Sequence, residues 1–306
     1  MRPAAYRLDH LDRLCDERGI HEHAEGARAR PEHGYCTDDN ARLLIVASRE
    51  PAGAVADRLS WLALEATLAA QDPQGRFHNR MAPTGARSWL DDPSTGDWWG
   101  RAVWGLGVAA ALHDDPALRE RACVAAVRGS RQRSPWLRSM AFAALGAGEL
   151  LLAGNSDPRL SNLIGDFLRM VDALHPRVDW PWPEDMLTYA NASVAEAILV
   201  AGLSTGRPSA VRSGLRLTSW LVAQQTLDGH ISAVGSAGRG PSEHGPQFDQ
   251  QPIEVAALAD ACWRAWVTTG DAAWLGHLER CAAWFHGAND VSQAMFSPHT
   301  WGGFDG

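Results

Sequence analysis

The sequence has 306 residues, a formal net charge of −8 and 45% hydrophobic residues, a composition typical of a globular chain with a large core. It contains no basic run with interleaved aromatic residues, which argues against nucleic acid as a partner. All 28 Lys and Arg positions are arginine. Chemistry that needs a Schiff-base lysine or a P-loop lysine is therefore excluded.

The cysteines and the apolar stretches exclude further classes of protein. The five cysteines are an odd number and never form a CxxC pair, so neither a disulfide framework nor a zinc site is expected. We expect no metal and no cofactor. No apolar run approaches the roughly 18 residues of a membrane span, and no apolar signal segment opens the chain. We therefore expect a cytoplasmic protein that does not contact the membrane.

Apolar residues recur at three- and four-residue spacing along almost the whole chain, which predicts an all-α protein. Proline residues fall in the gaps or in the first helical turns. The predicted helices cover residues 4–18, 39–49, 54–70, 98–113, 116–129, 136–153, 158–174, 189–204, 208–226, 252–269 and 271–287.

Two kinds of helix alternate along the chain. Segments such as "AVWGLGVAAAL" are apolar on all sides, whereas segments such as "ALRERACVAAVRGS" carry charge on one face. The first kind is expected to be buried and the second to line a surface, which predicts an α/α toroid of inner and outer helices. A weak repeat, Q-x-x-x-G-x-apolar at 71–77 and 225–231, favours one domain over residues 1–306.

Polar and aromatic loops precede the five predicted inner helices. Inner helices that run parallel would bring all five loops to one end of the toroid and into one pocket. Carboxylates, amides and aromatic rings together favour a carbohydrate site, because a sugar offers both hydroxyl groups and an apolar face. The loops are 32–40, 94–101, 131–136, 178–191 and 243–254.

Each acid in these loops has a simpler interpretation. Asp38, Asp97 and Asp249 stand at predicted helix starts, where a carboxylate commonly caps free N–H groups. Capping does not account for the doubled acids at Asp38 with Asp39 and at 184–185. We therefore assign capping mainly to Asp38 and treat Asp39 as a pocket residue.

Four motifs carry a family resemblance. "HGYCTDDNAR", "DWWGRAVWGLG", "PWPEDMLTYANA" and "FDQQPIE" resemble motifs of a bacterial six-hairpin glycosidase-like family, often linked to glycosyltransferases, across almost the whole chain. The resemblance implies an (α/α)6 barrel and sugar chemistry. Twelve helices are implied and eleven are predicted, so the last inner helix is expected to be missing, with the sequence either a shortened form or a barrel that closes differently.

The leading hypothesis is a glycoside hydrolase with two catalytic carboxyl groups, one acid and one base or nucleophile; the resemblance implies that it acts by inversion. The candidate catalytic residues are Asp39, Glu184, Asp185 and Asp249. The candidate substrate-binding residues are His33, Tyr35, Asp38, Arg42, Asp97, Trp98, Trp99, Arg101, Trp180, Trp182, Tyr189, Asn191, His244, Gln250, Gln251 and Glu254.

Other classes stay open. The same barrel suits a sugar epimerase or isomerase with His33 and His244 as acid and base. A non-catalytic glycan-binding partner of a glycosyltransferase is a further alternative. A terpenoid cyclase is disfavoured, because Cys36 and Arg42 stand where its acidic motifs require aspartate.

Overall fold

The structure is a computed structural model that describes residues 7–174 and 179–304. Within these ranges it contains eleven α-helices and eight strands of two residues each. The helices are α1 Asp9–Arg13, α2 Thr37–Arg49, α3 Ala54–Ala70, α4 Asp97–Leu112, α5 Pro116–Gly129, α6 Leu137–Leu152, α7 Pro158–Ala173, α8 Asn191–Ser204, α9 Pro208–Gln224, α10 Pro252–Thr269 and α11 Ala273–Phe285.

The strands form four antiparallel pairs, each between neighbours in the chain order. They are β1 Cys15–Asp16 with β2 Gly19–Ile20, β3 Ala24–Glu25 with β4 Arg28–Ala29, β5 Tyr35–Cys36 with β6 Arg80–Met81, and β7 Thr226–Leu227 with β8 His230–Ile231.

The described residues divide into two compact units. Unit 1 extends to Phe167 and includes Thr300–Gly302, and unit 2 comprises Leu168–His299 together with the residues from Gly303. The single domain over residues 1–306 stays a prediction.

Burial separates the helices into the two predicted kinds. Every residue is buried over 99–110 of α4, 138–150 of α6 and 191–202 of α8. The amphipathic helix α9 buries only Gly214, Thr218, Leu221 and Val222. Helices α4, α6 and α8 are therefore buried as predicted for inner helices, whereas α10, also predicted to be inner, is half-exposed.

The contacts between α2 and α4 show that these two helices run in parallel. Near their starts, Asp38 and Arg101 form an ion pair with 2.8 Å between Oδ1 and Nε. One turn further on, a Cβ on Gly105 would lie 2.7 Å from the carbonyl oxygen of Ala41. The N-terminal ends of α2 and α4 therefore lie side by side, as the sequence predicts for inner helices.

Helices α4 and α6 pack in parallel through glycine. A Cβ on Gly100 would meet the carbonyl oxygen of Ser139 at 2.3 Å, and one on Gly107 would meet that of Gly146 at the same distance. Larger residues would force the backbones apart, since real Cβ contacts are longer than this. The small residues thus allow α4 to approach α6 closely.

Unit 2 shows the same arrangement with α8, α9 and α10. Gly202 contacts Val211 and Gly214 contacts Leu199, so α8 and α9 form an antiparallel hairpin. The carboxylate of Glu254, in the first turn of α10, accepts hydrogen bonds at the start of α8. The N-terminal ends of these two buried helices therefore also lie together.

The first predicted helix, residues 4–18, is wrong in its described part. Helix α1 ends at Arg13, and the β1–β2 hairpin follows. The Asp16 carboxylate accepts the N–H of Arg18 at 2.8 Å, and Gly19 adopts φ 149°. An Asx turn followed by a glycine with positive φ favours a tight turn over a continued helix.

The two copies of the repeat both form antiparallel turns, after α3 and after α9, with pairing registers that differ by one residue. Gln71 and Phe77 bridge in the first, and Thr226 pairs with Ile231 in the second. The glycines of the two copies both have positive φ, which explains why the repeat requires glycine at that position.

Residues 286–304, which follow α11, form turns and one bridge between Phe296 and Gly303 but no helix. None of the described helices is long and apolar enough to cross a membrane. All five cysteines are free thiols.

Candidate functional site

The start of α2 carries a charged cluster of two aspartates and two arginines. Asp38 contacts Arg101 at 2.8 Å and Arg42 at 2.6 Å, and Arg42 also reaches Asp39 at 2.9 Å. Arg101 is buried, and its guanidinium lies 4.0 Å from the ring centre of Phe142. Folding therefore joins four of the predicted site residues into one network in unit 1.

The capping role assigned to Asp38 is wrong. Helix α2 begins at Thr37, its N-cap is Cys36, and no side chain caps its N-terminus. Asp38 is thus already inside the first turn, and its carboxylate turns to the two guanidinium groups because these offer charge-assisted hydrogen bonds.

Asp39 differs from Asp38 in its surroundings. The pKa of Asp39 is raised to about 6, mainly by burial and to a smaller extent by the charge of Asp38, whereas the guanidinium of Arg42 opposes the rise. The Asp39 side chain is 27% exposed, so it still reaches solvent. A carboxyl group that holds its proton near pH 6 can act as a general acid.

Asp39 lies in the wall of a cavity of about 250 Å³ in unit 1. The apolar part of the wall comes from α1, the segment after it, β2 and α2, and the polar part from four side chains. The lining residues are Leu11, Leu14, Ile20, His21, Glu22, Asp39, Arg42, Leu43 and Val46. This volume lies slightly below the common range for ligand pockets, about 300–1,000 Å³, and suits a small polar ligand.

Sequence reasoning missed two residues of this cavity, His21 and Glu22. His21 and Glu22 lie in the short H-E-H stretch at 21–23, which precedes the five loops that predict the site. The signal that could have found them is their position, since they directly follow β2 and precede the first motif. Within the described ranges no group of three or more His, Cys, Asp or Glu side chains is placed to hold a metal ion.

Tyr35 and His33 contact the segment of residues 21–23. The Tyr35 hydroxyl donates to Asp16 at 2.5 Å, and its ring stacks on His21 with 4.7 Å between ring centres. Burial and this hydrogen bond raise the pKa of Tyr35. The His33 side chain is 39% exposed and lies edge-on to His23 at 4.8 Å.

The residues at the start of α4 have mainly packing roles. Asp97 is the first residue of α4 and does not cap it; its carboxylate accepts the Ser139 hydroxyl at 2.6 Å. Trp99 is fully buried and donates to the carbonyl of Gly129, so it presents no ring face to a sugar. Trp98, which donates to the Phe77 carbonyl at 2.7 Å, is only half-buried.

In unit 2, the N-cap residue of α8 is Ala190, which has no side chain that could cap the helix. The side chain of Glu254 in α10 takes this role. Its carboxylate accepts the N–H of Ala190 and, at 2.8 Å, the side-chain amide of Asn191. Asn191 in turn accepts the N–H of Thr188 at 2.9 Å. Ala190 has φ 46°, a conformation that L residues rarely adopt. The buried carboxylate of Glu254 holds this strained turn in place.

Unit 2 has a cavity of about 240 Å³ beside this turn, and three predicted binding residues line it. These are Tyr189, Gln251 and Glu254, and the rest of the lining is Thr188, Val234, Gly235 and Ser236. Asp249 does not line it and does not cap α10, whose N-cap is Gln251. Asp249 has φ 62° and accepts the hydroxyl of Ser236.

The remaining predicted site residues of unit 2 differ in their exposure to solvent. Gln250 is buried and donates to Asp290 at 2.6 Å, and Asp290 also contacts His230 at 2.9 Å. Glu184 is half-buried, and Asp185 and His244 are exposed.

The two tryptophans of the third motif belong to an aromatic cluster. Trp180 and Trp182 are both buried, and both contact the ring of Trp220, at 5.0 and 6.3 Å between ring centres. Trp180 also donates to the carbonyl of Glu184. Both tryptophans pack inside unit 2. Tyr189, which is 41% exposed, is the more accessible aromatic ring of this loop. The gathering of all five loops at one pocket stays a prediction.

No family model and no curated protein matches the sequence. Solved structures do match. A sugar epimerase from a ruminal bacterium is 13% identical with a TM-score of 0.71, covering 96% of this chain and 85% of that chain. The cellobiose 2-epimerase of Bacillus thermoamylovorans is 13% identical with a TM-score of 0.70, covering 97% and 87%.

A glycosidase shares the fold at lower similarity. The family 76 α-mannanase of Bacteroides thetaiotaomicron is 11% identical with a TM-score of 0.58, covering 88% of this chain and 78% of that chain. At such identities the likeness shows the fold. This all-α chain has the (α/α)6 fold that these solved structures share.

Proposed function

We propose that this protein is a carbohydrate-active enzyme, a glycoside hydrolase in which Asp39 is the general acid. The observation that supports this most directly is Asp39 itself. It is a partly buried carboxyl group with a pKa raised to about 6 in the wall of a cavity. Asp38, one residue away, is a carboxylate held by two guanidinium groups.

Paired carboxyl groups with different surroundings are a recurring arrangement in glycoside hydrolysis. In the proposed step, Asp39 donates its proton to the glycosidic oxygen as the bond to the anomeric carbon breaks. A water molecule attacks that carbon and loses its proton to a base. Arg42, 2.9 Å from Asp39, stabilises the carboxylate that proton donation leaves behind.

The substrate proposed is a saccharide. The unit 1 cavity combines apolar side chains with His21, Glu22, Asp39 and Arg42, which suits a ring that has both C–H faces and hydroxyl groups. A glycosyltransferase as a physical partner remains part of the proposal, motivated only by the sequence resemblance. Glu184, Asp185 and Asp249 stay predictions for the second catalytic carboxyl group.

The test is hydrolysis of a panel of oligosaccharides and aryl glycosides by the wild-type protein and by Asp39→Asn. We expect reducing sugar to be released, and the variant to lose about 10²–10⁴-fold in kcat/KM. Because the acid must be protonated, the wild-type rate should fall about tenfold per pH unit above pH 6. A loss below about tenfold in the variant would exclude Asp39 as the acid.

A sugar epimerase is the second candidate. The two epimerases match with TM-scores of 0.71 and 0.70, against 0.58 for the mannanase. In this alternative His33 and His244 would exchange the proton. Incubation of mono- and disaccharides in deuterated water distinguishes the two: an epimerase gives an isomer with deuterium on carbon, without bond cleavage. Sugar binding without either product would favour a glycan-binding protein.

A further inference from the structure

We propose that Glu22 is the catalytic base opposite Asp39, so that both carboxyl groups of the reaction belong to the unit 1 cavity. This inference rests on the proposed hydrolase function and assigns the second role within it.

The segment that carries Glu22 is fixed against the start of α2. The Asn40 side chain accepts the N–H of Ile20 at 3.1 Å and donates to the carbonyl of Cys36 at 2.9 Å. Gly19 packs so closely that a Cβ there would lie 2.5 Å from the Asn40 side-chain oxygen. Asn40 therefore ties β2 to the first turn of α2, next to Asp39.

The backbone pairing continues through Glu22. His21 bridges Tyr35, and the N–H of Glu22 donates to the carbonyl of Gly34 at 3.1 Å. Glu22 and Asp39 line the same cavity of about 250 Å³. Main-chain pairing with residues 34–35 and the hydrogen bonds of the buried Asn40 side chain thus place Glu22 near Asp39.

The charges around Glu22 favour its ionised form. Its carboxylate forms an ion pair with Arg80, and the His23 ring nitrogen lies 3.7 Å away. The Glu22 side chain is only 12% exposed. Asp39, in contrast, is surrounded by Arg42, Asp38, Arg101 and His23, and burial outweighs the favourable charges. One carboxyl group is thus suited to accept a proton and the other to donate one.

His21 adds a polar side chain to the cavity wall beside Glu22. Its side chain is 6% exposed, and it lines the cavity. Its Nδ1 is buried and has no hydrogen-bond partner among the described residues. A buried polar atom without a partner is unfavourable.

The proposed step conserves atoms and charge. Glu22 takes one proton from the attacking water as its oxygen bonds to the anomeric carbon. Asp39 gives one proton to the departing alcohol. The two carboxyl groups exchange their protonation states, and proton exchange with solvent restores them before the next turnover.

The experiment compares Glu22→Gln with Glu25→Gln, an exposed acid three residues along the same segment. Arg80, whose side chain is 48% exposed, can be solvated when its partner is neutral, so the variant is expected to fold. We expect Glu22→Gln to lose about 10²–10⁴-fold in kcat and to lose the acid-side fall of the pH–rate profile. Glu25→Gln should behave as wild type.

Chemical rescue assigns the roles. Azide needs no base, so we expect it to restore at least tenfold activity to Glu22→Ala and to yield a glycosyl azide. A 2,4-dinitrophenyl glycoside needs little acid assistance, so it should restore Asp39→Asn and leave Glu22→Ala slow. Neither pattern would arise from a purely structural role.

Two outcomes would overturn the inference, and they can be told apart. If Glu22→Gln stays within tenfold of wild type while Asp39→Asn is inactive, the hydrolase proposal stands and the base lies elsewhere. If the wild-type protein hydrolyses none of the glycosides, the proposed function fails and the role of Glu22 fails with it.

Discussion

Two adjacent aspartates, Asp38 and Asp39, have different environments after folding. Asp38 forms ion pairs with Arg42 and Arg101. Asp39 is more affected by burial than by the charge of Arg42, so its pKa rises to about 6. Arg101, a buried side chain on another helix, pairs with Asp38, and burial is the main cause of the shift at Asp39. Residues that are adjacent in the sequence thus become chemically distinct through tertiary packing.

The raised pKa of Asp39 has a consequence for stability. The ordinary pKa is 3.8 and the folded value about 6, so the folded state holds this proton more tightly than the unfolded chain. Stability therefore falls as pH rises from about 4 to 6, and the full cost remains above pH 6. We expect Asp39→Asn to raise the free energy of unfolding by about 1 kcal/mol at pH 7.5.

Thermal or urea unfolding at pH 7.5 and pH 4.5 measures this effect. The gain should shrink at pH 4.5, because wild-type Asp39 is then protonated in the folded state. Asp57→Asn, in the first turn of the exposed N-terminal end of α3, serves as the control. An equal change at both pH values would contradict the argument.

At the scale of the element, the buried helices are joined through small residues. Gly100 and Gly107 of α4 bring its backbone against Ser139 and Gly146 of α6. Leucine or alanine at these positions would have a higher helix propensity than glycine. The two backbones, however, can approach this closely only where no Cβ is present. The glycines are therefore part of the packing between helices.

Substitution of these glycines tests the packing. A Cβ at position 107 would lie 2.3 Å from the Gly146 carbonyl oxygen, so Gly107→Ala should destabilise the protein by about 1–3 kcal/mol. Gly276 of α11 has no atom within 4 Å of a Cβ position. Gly276→Ala is the matched control and should stabilise by up to about 1 kcal/mol. Chemical denaturation measures both, and equal effects would contradict the packing argument.

At the scale of the whole molecule, burial is unevenly distributed. Twelve consecutive residues of α4 and of α8 are buried, whereas α11 buries only Cys281 and Trp284. Trp263 and Val267 on the last turns of α10 are 48% and 57% exposed. Helices that bury little apolar surface open at lower free energy.

Amide hydrogen exchange should follow this distribution. We expect α4, α6 and α8 to exchange slowest, and α11 with residues 286–304 to exchange fastest among the segments after α8. Mass spectrometry of peptic fragments resolves these segments. Protection of α11 equal to that of α6 would show that stability does not follow burial.

The fold and the candidate site differ in how far local pattern could predict them. Alternation of apolar and amphipathic segments predicted the buried and half-exposed helices, because burial of a face requires the matching period. The first helix was wrong because Asp16 and Gly19 favour a turn whose hydrogen bonds compete with helix. The role of Trp99 was wrong because its loop position resembled that of a ligand-facing ring, and only packing shows that it is buried.

The sequence alone determined the all-α class and the distinction between apolar and amphipathic helices, and it predicted a role for the segment around Asp39. These depend on spacing and local conformation, which neighbours along the chain control. Only the tertiary structure decided that Arg101 pairs with Asp38, that Glu254 caps α8 and that Glu22 lies in the cavity with Asp39. Those contacts join residues far apart in the chain, and their energies depend on burial that exists only after the helices have packed.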